Sequence, residues 1–440
     1  MPRARQRVGI VGSGIAGAFT ADFLRQALGD SVDLIVWERD SRIGGRVREI
    51  EIGGHRIEAG ATLVHTSNRY LREAIETLGL HPTTKRTARE QDPPAFGCWN
   101  GRAFDFIAPS DPEVQLALLG GRYGQSLATV HQAVTGALER FLTVYALQDG
   151  GTAFATPELL YEAPGLYELT QQDGYGYFRH LGVGEPIVRE LVDGIARSNY
   201  CQGSEMNAWA TIVSLIGGGL GGGSVFGVRE GNPRVPEGLL TRAGVRAVTG
   251  APVRRIGWLD SGFQVTTASA ETVTCNAVVI ATPLEQAGIE FVDIDLPPSA
   301  HARRDFQTVH VTMVAGQPKA SYFGLGSAGE LPRAILTSSQ VDAPFVAMGR
   351  LALEELPAWK LFSLAELSDS TLDAIFDQRA QAARLSWQAY PRLHPVSDWP
   401  PFRLAPGLYY TNAMESAVST METEAIAARN VALLLLQEMA

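Results

Sequence analysis

The chain has 440 residues, of which 45% are hydrophobic, and a formal net charge of −10. This length exceeds what one hydrophobic core usually supports, so two domains are expected. The acidic balance and the absence of a long basic cluster argue against a nucleic-acid partner. Glycines interrupt the most apolar stretch, residues 208–228, so we predict no transmembrane segment.

Three cysteines, Cys98, Cys201 and Cys275, form neither a CxxC pair nor a metal-ligand spacing. Their odd number suits a reducing compartment, and no metal site is predicted. Only a few residues precede the first predicted strand, which leaves no room for the apolar region of a signal peptide. These features predict a soluble, cytoplasmic protein, and the lack of a signal peptide suggests a bacterial one.

The first forty-six residues read as a dinucleotide-binding βαβ unit. An apolar run enters the glycine motif at 12–17, a helical pattern follows, and a second apolar run ends at Glu38. Gly12 allows the tight turn, Gly14 lets the backbone approach a pyrophosphate, and Gly17 lets helix and strand pack closely. An acid at Glu38 can bind ribose hydroxyls and would repel a 2′-phosphate. The alternative is a glycine-rich turn in another α/β fold.

The residues that follow select the cofactor. Residues 38–46 resemble the E-R-x(n)-G-G-R extension of FAD-dependent amine oxidase-like flavoproteins, which brings a second loop over the pyrophosphate. Residues 60–62 resemble the segment that passes beside the flavin ring. Nicotinamide dehydrogenases generally lack this extension, so the resemblance implies FAD. No cysteine lies at Tyr409-Tyr410, where some amine oxidases attach FAD, so we expect FAD without a covalent bond.

The flavin-domain pattern returns twice more along the chain. A strand–helix–strand pattern ends at Thr282-Pro283, and a strand followed by a long helix closes the chain. Between these segments of the flavin-binding domain lie a mostly helical region and a second region with two strand candidates. We predict the α/β class, with a discontinuous, GR2-like, Rossmann-type FAD-binding domain at 1–85, 230–290 and 400–440. A mixed α+β, largely helical substrate-binding domain is predicted at 86–229 and 291–399.

Two local patterns make specific predictions. Residues 96–106 read as a hairpin that turns at Asn100-Gly101. The last helix, predicted from Met421, begins at a capping-box pattern, Ser419 to Glu422. In such flavoproteins the helix N-terminus points at the N1–C2=O edge of the flavin and stabilises the reduced ring. The alternative is an ordinary capped helix.

With these segments placed, residues 7–436 resemble the prenylcysteine oxidase (prenylcysteine lyase) family. The similar segments are residues 10–17, 38–46, 58–68, 198–202, 230–232, 279–283, 321–324, 387–389, 410–415 and 430–434. The segments around Tyr322 and Trp387 are more particular to this family than the flavin motifs. Two departures stand out. Lysosomal members carry a signal peptide, which is not expected in this chain. In addition, none of the three lysines, Lys85, Lys319 and Lys360, lies in a segment that resembles the one whose lysine binds water in amine oxidases.

The resemblance implies an FAD-dependent oxidase that cleaves the C–S bond of an S-prenylcysteine-like thioether. Hydride leaves the carbon between sulfur and the allylic double bond, because both neighbours spread the developing positive charge. Water then adds, and the products are a prenyl aldehyde, free cysteine and H2O2, with O2 as the final oxidant. Two alternatives stay open: an amine oxidase-like or desaturating flavoenzyme with another apolar substrate, and a flavin-binding protein without turnover.

The cofactor-binding candidates follow from the motifs and the resemblance. They are Gly12, Ser13, Gly14, Ile15, Ala16, Gly17, Glu38, Arg39, Gly44, Gly45, Arg46, Gly60, Ala61, Thr62, Val253, Ala281, Thr282, Pro283, Asn412, Thr420 and Met421. Val253 begins the strand that usually lends backbone to adenine.

The catalytic and substrate candidates carry weaker signals. We single out His65 to orient or deprotonate the attacking water, with a structural histidine as the alternative. Glu415 is a candidate for stabilising a thiocarbenium ion, with a role in holding its own loop as the alternative. Arg197, Tyr200 and Gln202 are candidates for binding the cysteine carboxylate, although a surface salt bridge explains Arg197 equally well. Tyr322, Phe323 and Trp387 suit an aromatic wall along an isoprenoid tail, and core packing explains them equally well.

Overall fold

The computed structural model describes residues 5–83, 92–259, 262–353 and 356–439. Lys85 and the predicted domain boundary at 85–86 lie outside these residues. The strands in chain order are β1 (Gln6–Val11), β2 (Val32–Trp37), β3 (Glu49–Ile52), β4 (His55–Glu58), β5 (Val64–His65), β6 (Phe96–Trp99), β7 (Phe104–Ala108), β8 (Val225–Phe226), β9 (Ala247–Val248), β10 (Val253–Leu259), β11 (Gly262–Thr267), β12 (Thr272–Cys275), β13 (Ala277–Ile280), β14 (Glu290–Val292), β15 (Phe306–Pro318), β16 (Ala334–Leu336), β17 (Ala347–Arg350), β18 (Ala358–Ser363), β19 (Phe376–Pro391), β20 (Arg403–Ala405) and β21 (Leu408–Tyr410).

The helices in chain order are α1 (Ile15–Leu28), α2 (Arg69–Thr77), α3 (Pro112–Tyr123), α4 (Gln125–Asp149), α5 (Pro157–Glu162), α6 (Tyr167–Thr170), α7 (Gly174–His180), α8 (Glu185–Ile187), α9 (Asp193–Tyr200), α10 (Ala208–Gly217), α11 (Arg234–Arg242), α12 (Leu284–Ala287), α13 (Pro298–His301), α14 (Asp369–Ile375) and α15 (Met421–Met439). A π-helical turn, Val188–Val192, joins α8 to α9.

A six-stranded sheet in the order β20-β21-β13-β1-β2-β9 forms the Rossmann-type layer. Its pairs from β21 to β9 are parallel, with Val8 opposite both Leu34 and Ala277. The four residues of β13 are all buried, as expected for strands covered on both faces. The sheet draws strands from three separate parts of the chain, so the predicted discontinuous Rossmann-type fold is confirmed.

Two further sheets extend from this layer. A four-stranded sheet has the order β12-β11-β10-β14, and a seven-stranded sheet has the order β19-β15-β18-β17-β16-β6-β7. The hairpin predicted around Asn100 forms the β6–β7 edge of the seven-stranded sheet. The two strand candidates of this region, residues 309–314 and 345–351, overlap β15 and β17. The sheet is larger than they suggested, because the long strand β19 is mostly polar and partly exposed and so lacks the apolar alternation that marks a strand.

The helices from α3 to α10 form a layer whose buried residues belong to the same core as the Rossmann-type layer. α10 ends at Gly217, and a glycine-rich loop, residues 217–224, leads from it to β8. β8 then pairs with β5, which sets Val225 opposite His65. Across the described ranges, no helix has both the length and the apolar character needed to span a membrane.

Candidate functional site

The first loop of the Rossmann-type layer is closed by contacts that only glycine permits. Gly12 adopts a φ of 110°, and a Cβ there would lie 2.5 Å from the carbonyl oxygen of Ala281. A Cβ on Gly17 would lie 2.0 Å from the carbonyl oxygen of Gly12. Because neither residue has a Cβ, α1 can pack close to β1 and to the end of β13, with the free N–H groups of α1 at the loop.

A second loop lies directly against the first. The Gly44 N–H donates to the Ser13 carbonyl oxygen over 3.2 Å, and a Cβ on Gly45 would lie 3.4 Å from the Gly14 Cα. The Arg42 guanidinium donates to the Gly45 carbonyl oxygen over 2.5 Å and so fixes the shape of this loop. Glycine thus faces glycine across a narrow gap, the shape that lets backbone approach a diphosphate from two sides.

Glu38 directly follows β2 and has a buried carboxylate. Its oxygens accept hydrogen bonds from the Ser13 N–H (3.0 Å), the Ser13 hydroxyl (2.7 Å) and the Asp40 N–H (2.9 Å). The Ala251 N–H donates to the Glu38 carbonyl oxygen, which brings the start of the Val253 strand beside the acid. No ion pair of the described residues includes Glu38, so the carboxylate is available to the hydroxyl groups of a ribose.

These residues fit a flavin adenine dinucleotide. The glycine-lined gap would hold the diphosphate, Glu38 the adenosine ribose, and the backbone near Val253 the adenine. Ala281, Thr282 and Pro283 follow β13 at the same edge of the sheet, where ligands of open parallel sheets bind. The side chain of Arg39 is largely exposed at the rim.

Arg46 closes the second loop through a buried ion pair. Its guanidinium lies 2.5 Å from a carboxylate oxygen of Glu415 and also donates to the Ala389 carbonyl oxygen over 2.9 Å. The Ser419 hydroxyl donates to the same Glu415 oxygen over 2.7 Å. Glu415 is fully buried and is committed to its own loop and to Arg46, which fits the second of its two predicted roles.

Asn412 lies in the same short segment as Glu415, Thr411–Ser416, and contacts the last helix. Its amide donates to Glu424 over 3.1 Å. Burial, together with the neighbouring Glu415, raises the pKa of Glu424 well above its ordinary value. The positive charges of Arg46 and Arg304 oppose this rise of the Glu424 pKa.

Lys360 contacts the loop that is predicted to pass beside the flavin. Nothing in the sequence indicated this contact. Its ammonium donates to the Thr62 hydroxyl and to the Glu58 carbonyl oxygen, both over 3.1 Å. The Thr62 hydroxyl in turn donates to the Gly60 carbonyl oxygen over 2.7 Å. Burial lowers the pKa of Lys360 to about 8 and raises that of Glu58 to about 7. Only pairing of β18 in the seven-stranded sheet brings this lysine here.

On its other side the same loop is held by Asn232. The Asn232 amide donates to the carbonyl oxygens of Ala61 (2.6 Å) and Thr62 (3.1 Å), and its backbone N–H donates to the Glu58 carboxylate (2.6 Å). The Trp387 ring lies over Gly60, where a Cβ would come within 3.0 Å of it. Trp387 therefore covers the loop rather than lining the cavity described next.

The capping box of the last helix lies one residue later than predicted. The Thr420 hydroxyl accepts from the Thr423 N–H, and the Thr423 hydroxyl accepts from the Thr420 N–H, each over 3.0 Å. The predicted partners are otherwise engaged: Ser419 donates to Glu415, and Glu422 turns away to another helix. The sequence pattern was a correct sign of the helix start and wrong about which residues form the cap.

A cavity of about 140 Å³ lies between the helical layer and the first turn of α15. Its wall is mainly apolar, with a few polar groups near the α15 end. The lining residues are Leu63, His65, Ser67, Asn68, Leu138, Phe141, Leu142, Tyr145, Asn199, Tyr200, Trp209, Val213, Ser214, Ile216, Gly217, Val225, Thr420, Met421, Glu422 and Thr423. Leu63 is 49% exposed, so the cavity reaches the surface on that side.

His65 lines the cavity but uses both ring nitrogens within the protein. The Ser67 N–H lies 3.2 Å from Nδ1, which makes Nδ1 the acceptor, and Nε2 donates to the Gly222 carbonyl oxygen over 2.9 Å. His65 therefore joins the flavin-side loop to the glycine-rich loop. In this arrangement neither nitrogen offers a free lone pair to water, so activation of water by His65 stays a prediction.

The other substrate candidates separate in space. Tyr200 lines the cavity, whereas Arg197 lies outside it, with Nη2 3.5 Å from the Thr337 hydroxyl and a pKa lowered by burial. Gln202 donates to the Pro391 carbonyl oxygen and accepts from the Leu393 N–H, so it braces a turn.

Tyr322 and Phe323 pack with Trp99 and Phe345 in a separate small core, and neither lines the cavity. Core packing, the alternative that the sequence left open, accounts for both aromatic residues. An aromatic wall does exist, but Phe141 and Trp209 form it, with ring centroids 4.9 Å apart. Their helices carry no motif, and only their packing reveals the wall.

Comparison with known proteins agrees with this geometry. The family model described as prenylcysteine lyase matches residues 112–440, and a model of an NAD(P)-binding Rossmann-like domain matches residues 10–78. Farnesylcysteine lyase of Arabidopsis thaliana is 30% identical over 97% of this chain and 87% of that protein. Prenylcysteine oxidase 1 of Mus musculus is 28% identical over 98% of this chain and 89% of that protein.

Amine oxidases are among the solved structures that share this fold. Putrescine oxidase bound to putrescine has a TM-score of 0.67 at 14% identity, covering 98% of this chain and 99% of that one. Cyclohexylamine oxidase from Brevibacterium oxydans has a TM-score of 0.66 at 18% identity, covering 99% of both chains. At this identity the likeness concerns the fold alone.

Proposed function

The chain belongs to the prenylcysteine lyase family, and on that premise we propose that it is an FAD-dependent oxidase that cleaves the thioether of S-prenylcysteine-like substrates. The products are a prenyl aldehyde, a free cysteine or thiol, and H2O2. The observation that carries the proposal is the apolar cavity that ends at the first turn of α15. In the flavoproteins that this chain resembles, that helix end faces the flavin ring.

FAD, bound without a covalent bond, would accept the hydride, and O2 would reoxidise it. The chain's own residues position both ligands. Glu38 and the glycine-lined gap hold the dinucleotide, and Lys360 with Asn232 fixes the loop that contains Thr62. Leu138 and Phe141 give the prenyl chain an apolar wall that excludes water.

The size of the cavity sets how a long prenyl chain must lie. Its volume of about 140 Å³ is small beside the roughly 300–1,000 Å³ of typical ligand pockets. A long chain must therefore extend past Leu63 or displace the glycine-rich loop. His65 Nε2 and the Thr66 N–H hold this loop through the carbonyl oxygens of Gly222 and Ser224.

The test is a comparison of thioethers with amines. The purified yellow protein, mixed anaerobically with S-farnesylcysteine, is expected to lose its flavin absorbance and to form farnesal and cysteine. Readmission of air should then yield H2O2. Cyclohexylamine and benzylamine serve as controls and should leave the flavin oxidised. Reduction by the amines but not by the thioether would overturn the proposal in favour of an amine oxidase.

A further inference from the structure

We propose that Glu422 is a catalytic carboxylate of this chain, which faces the prenyl carbon next to sulfur and stabilises the positive charge on that carbon. The inference rests on the proposed function. Stabilisation of this cation, one of the two roles predicted for Glu415 from the sequence, is thereby assigned to Glu422.

The position of Glu422 is the first argument. Among the described residues that line the cavity, it is the one carboxylic acid, and the same lining includes the apolar side chains of Leu138, Phe141 and Met421. Apolar walls screen a charge poorly, so a single carboxylate there acts strongly on a ligand at short range. A cationic carbon held in this cavity finds its counter-charge at Glu422.

The carboxylate is also fixed in place before any ligand arrives. One oxygen accepts from the Tyr70 N–H over 2.8 Å and from the Tyr145 hydroxyl over 2.6 Å. The other accepts from the Leu71 N–H over 3.0 Å. Tyr70 and Leu71 belong to the first turn of α2, and Tyr145 belongs to α4. Donors from two helices therefore set the direction of the charge, as electrostatic catalysis requires.

Within the described part of the chain, no cation pairs with the Glu422 carboxylate. No ion pair of the described residues includes Glu422, and the nearby Arg69 is committed to Glu73 and Asp149. Burial raises the pKa of Glu422 to about 7, and its three hydrogen-bond donors oppose that rise. An acid that is well hydrogen-bonded but has no counter-ion is poised to pair with a cation that forms on the substrate.

The reaction creates such a cation. The C–H bond of the carbon next to sulfur breaks, and both electrons leave with the hydrogen as hydride to oxidised FAD. The carbon keeps one positive charge, shared with sulfur and the double bond. The oxygen of water bonds to this carbon and releases one proton. The C–S bond then breaks, and the hydroxyl proton passes to sulfur, which leaves aldehyde and thiol.

Glu415 is a poorer candidate for this part. It does not line the cavity, and its charge is paired with Arg46 over 2.5 Å. Glu424, in the same first turn of α15, is also buried and outside the lining. Glu424 therefore provides a matched control for a change at Glu422.

The experiment measures binding, without turnover, to the holoenzyme kept free of oxygen. Farnesylamine, which carries a positive charge near neutral pH, is compared by calorimetry with farnesol, which is neutral, and with farnesoic acid, which is negative. The wild type should bind the ammonium about tenfold or more tightly than the alcohol, and the acid most weakly, on the scale of a charge-assisted hydrogen bond. In Glu422→Gln the preference for the ammonium should vanish, and in Glu424→Gln it should persist.

The outcomes separate the two proposals. If Glu422→Gln keeps the preference, or if the wild type has none, the role of Glu422 is overturned while the prenyl cavity stands. If the wild type binds none of the three compounds, or if farnesylamine bleaches the flavin, the proposed function itself fails, and this inference with it. A wild type that shows no preference for the ammonium overturns the role of Glu422 even if the Glu422 variant does not fold.

Discussion

Glu38 shows how one buried side chain selects a ligand. Its three donors all come from Ser13 and Asp40, within or next to the nucleotide-binding loop, and the residue is 5% exposed. The Ser13 N–H and hydroxyl both bond to one carboxylate oxygen, and the other accepts from the Asp40 N–H, which leaves it a lone pair for a ribose hydroxyl. Because a buried carboxylate would repel a further phosphate, the same residue favours FAD over a 2′-phosphorylated cofactor.

Replacing Glu38 with Ala should weaken FAD retention by roughly 1–3 kcal/mol, the scale of hydrogen bonds to a charged group. FAD released at equilibrium can be followed by its fluorescence after dialysis. Glu51→Ala, an exposed change in the β3–β4 hairpin, is the control and should have no effect. Equal affinity in the two variants would mean that the adenosine ribose lies elsewhere.

Replacing His65 with Ala tests its predicted part in the water step. Hydride transfer needs only the reacting carbon to be positioned, about 3–3.5 Å from its acceptor. The variant should therefore slow aldehyde release more than anaerobic flavin reduction, as stopped-flow absorbance would show. Deuterium at the prenyl C1 should slow reduction in both proteins. A variant that binds substrate yet cannot reduce its flavin would contradict this role.

Among the elements, the first turn of α15 has the most demanding surroundings. It is held by its own cap of Thr420 and Thr423, and its glutamates serve neighbouring segments instead. Glu422 caps α2, and Glu424 contacts Asn412. A cap made from two short hydroxyl side chains leaves the longer glutamates free to reach out of the helix.

Replacing Thr420 with Ala should lower the free energy of unfolding by roughly 0.5–2 kcal/mol, since a cap hydroxyl is lost. Thr420→Ser keeps the hydroxyl and should restore most of that stability. Urea unfolding of both variants, with FAD bound, measures the difference. If Thr420→Ser were as unstable as Thr420→Ala, the hydroxyl would not be the cause, and the cap assigned here would be wrong.

At the scale of the whole molecule, the site lies where three bodies meet. The Rossmann-type layer supplies the glycine-lined gap, the helical layer supplies the cavity, and the seven-stranded sheet supplies Lys360. Packing of these three parts against one another buries several ionisable groups, and burial shifts their pKa values. Glu58 and Glu422 both have a pKa raised to about 7, with burial as the largest cause.

These raised pKa values predict how stability depends on pH. Between the ordinary carboxyl pKa of 4.5 and about 7, the folded protein holds more protons than the unfolded chain, so stability falls as pH rises. Lys360, with a pKa lowered to about 8, acts above that range, where stability rises with pH. The melting temperature should therefore fall between pH 5 and 7. Each of the two carboxyl groups should lower the free energy of unfolding by on the order of 1–3 kcal/mol over this range.

Thermal unfolding across this range checks the prediction. Glu422→Gln, which cannot ionise, should flatten the fall, although it also loses part of its hydrogen bonding. Glu51→Ala should leave the slope unchanged, because that side chain is exposed. A melting temperature that climbs steadily from pH 5 to 7 in the wild type would contradict the raised carboxyl pKa values.

What the sequence determined by itself is local. The glycine motif, Glu38 and the hairpin at Asn100 were all predictable, because each depends on the backbone geometry of a few neighbouring residues. The family resemblance added the cofactor and the class of reaction. The start of the last helix was also visible, although its capping residues were displaced by one position.

Only the tertiary structure decided which side chains share the cavity. Glu422 looked like a capping residue, yet it contacts Tyr70, 352 residues earlier in the chain. Lys360 was set aside, yet β18 brings it to Thr62, 298 residues away. Phe323 looked like a substrate residue and lies in a separate core. A side chain's direction depends on which distant segment packs against it, and local pattern carries no information about that partner.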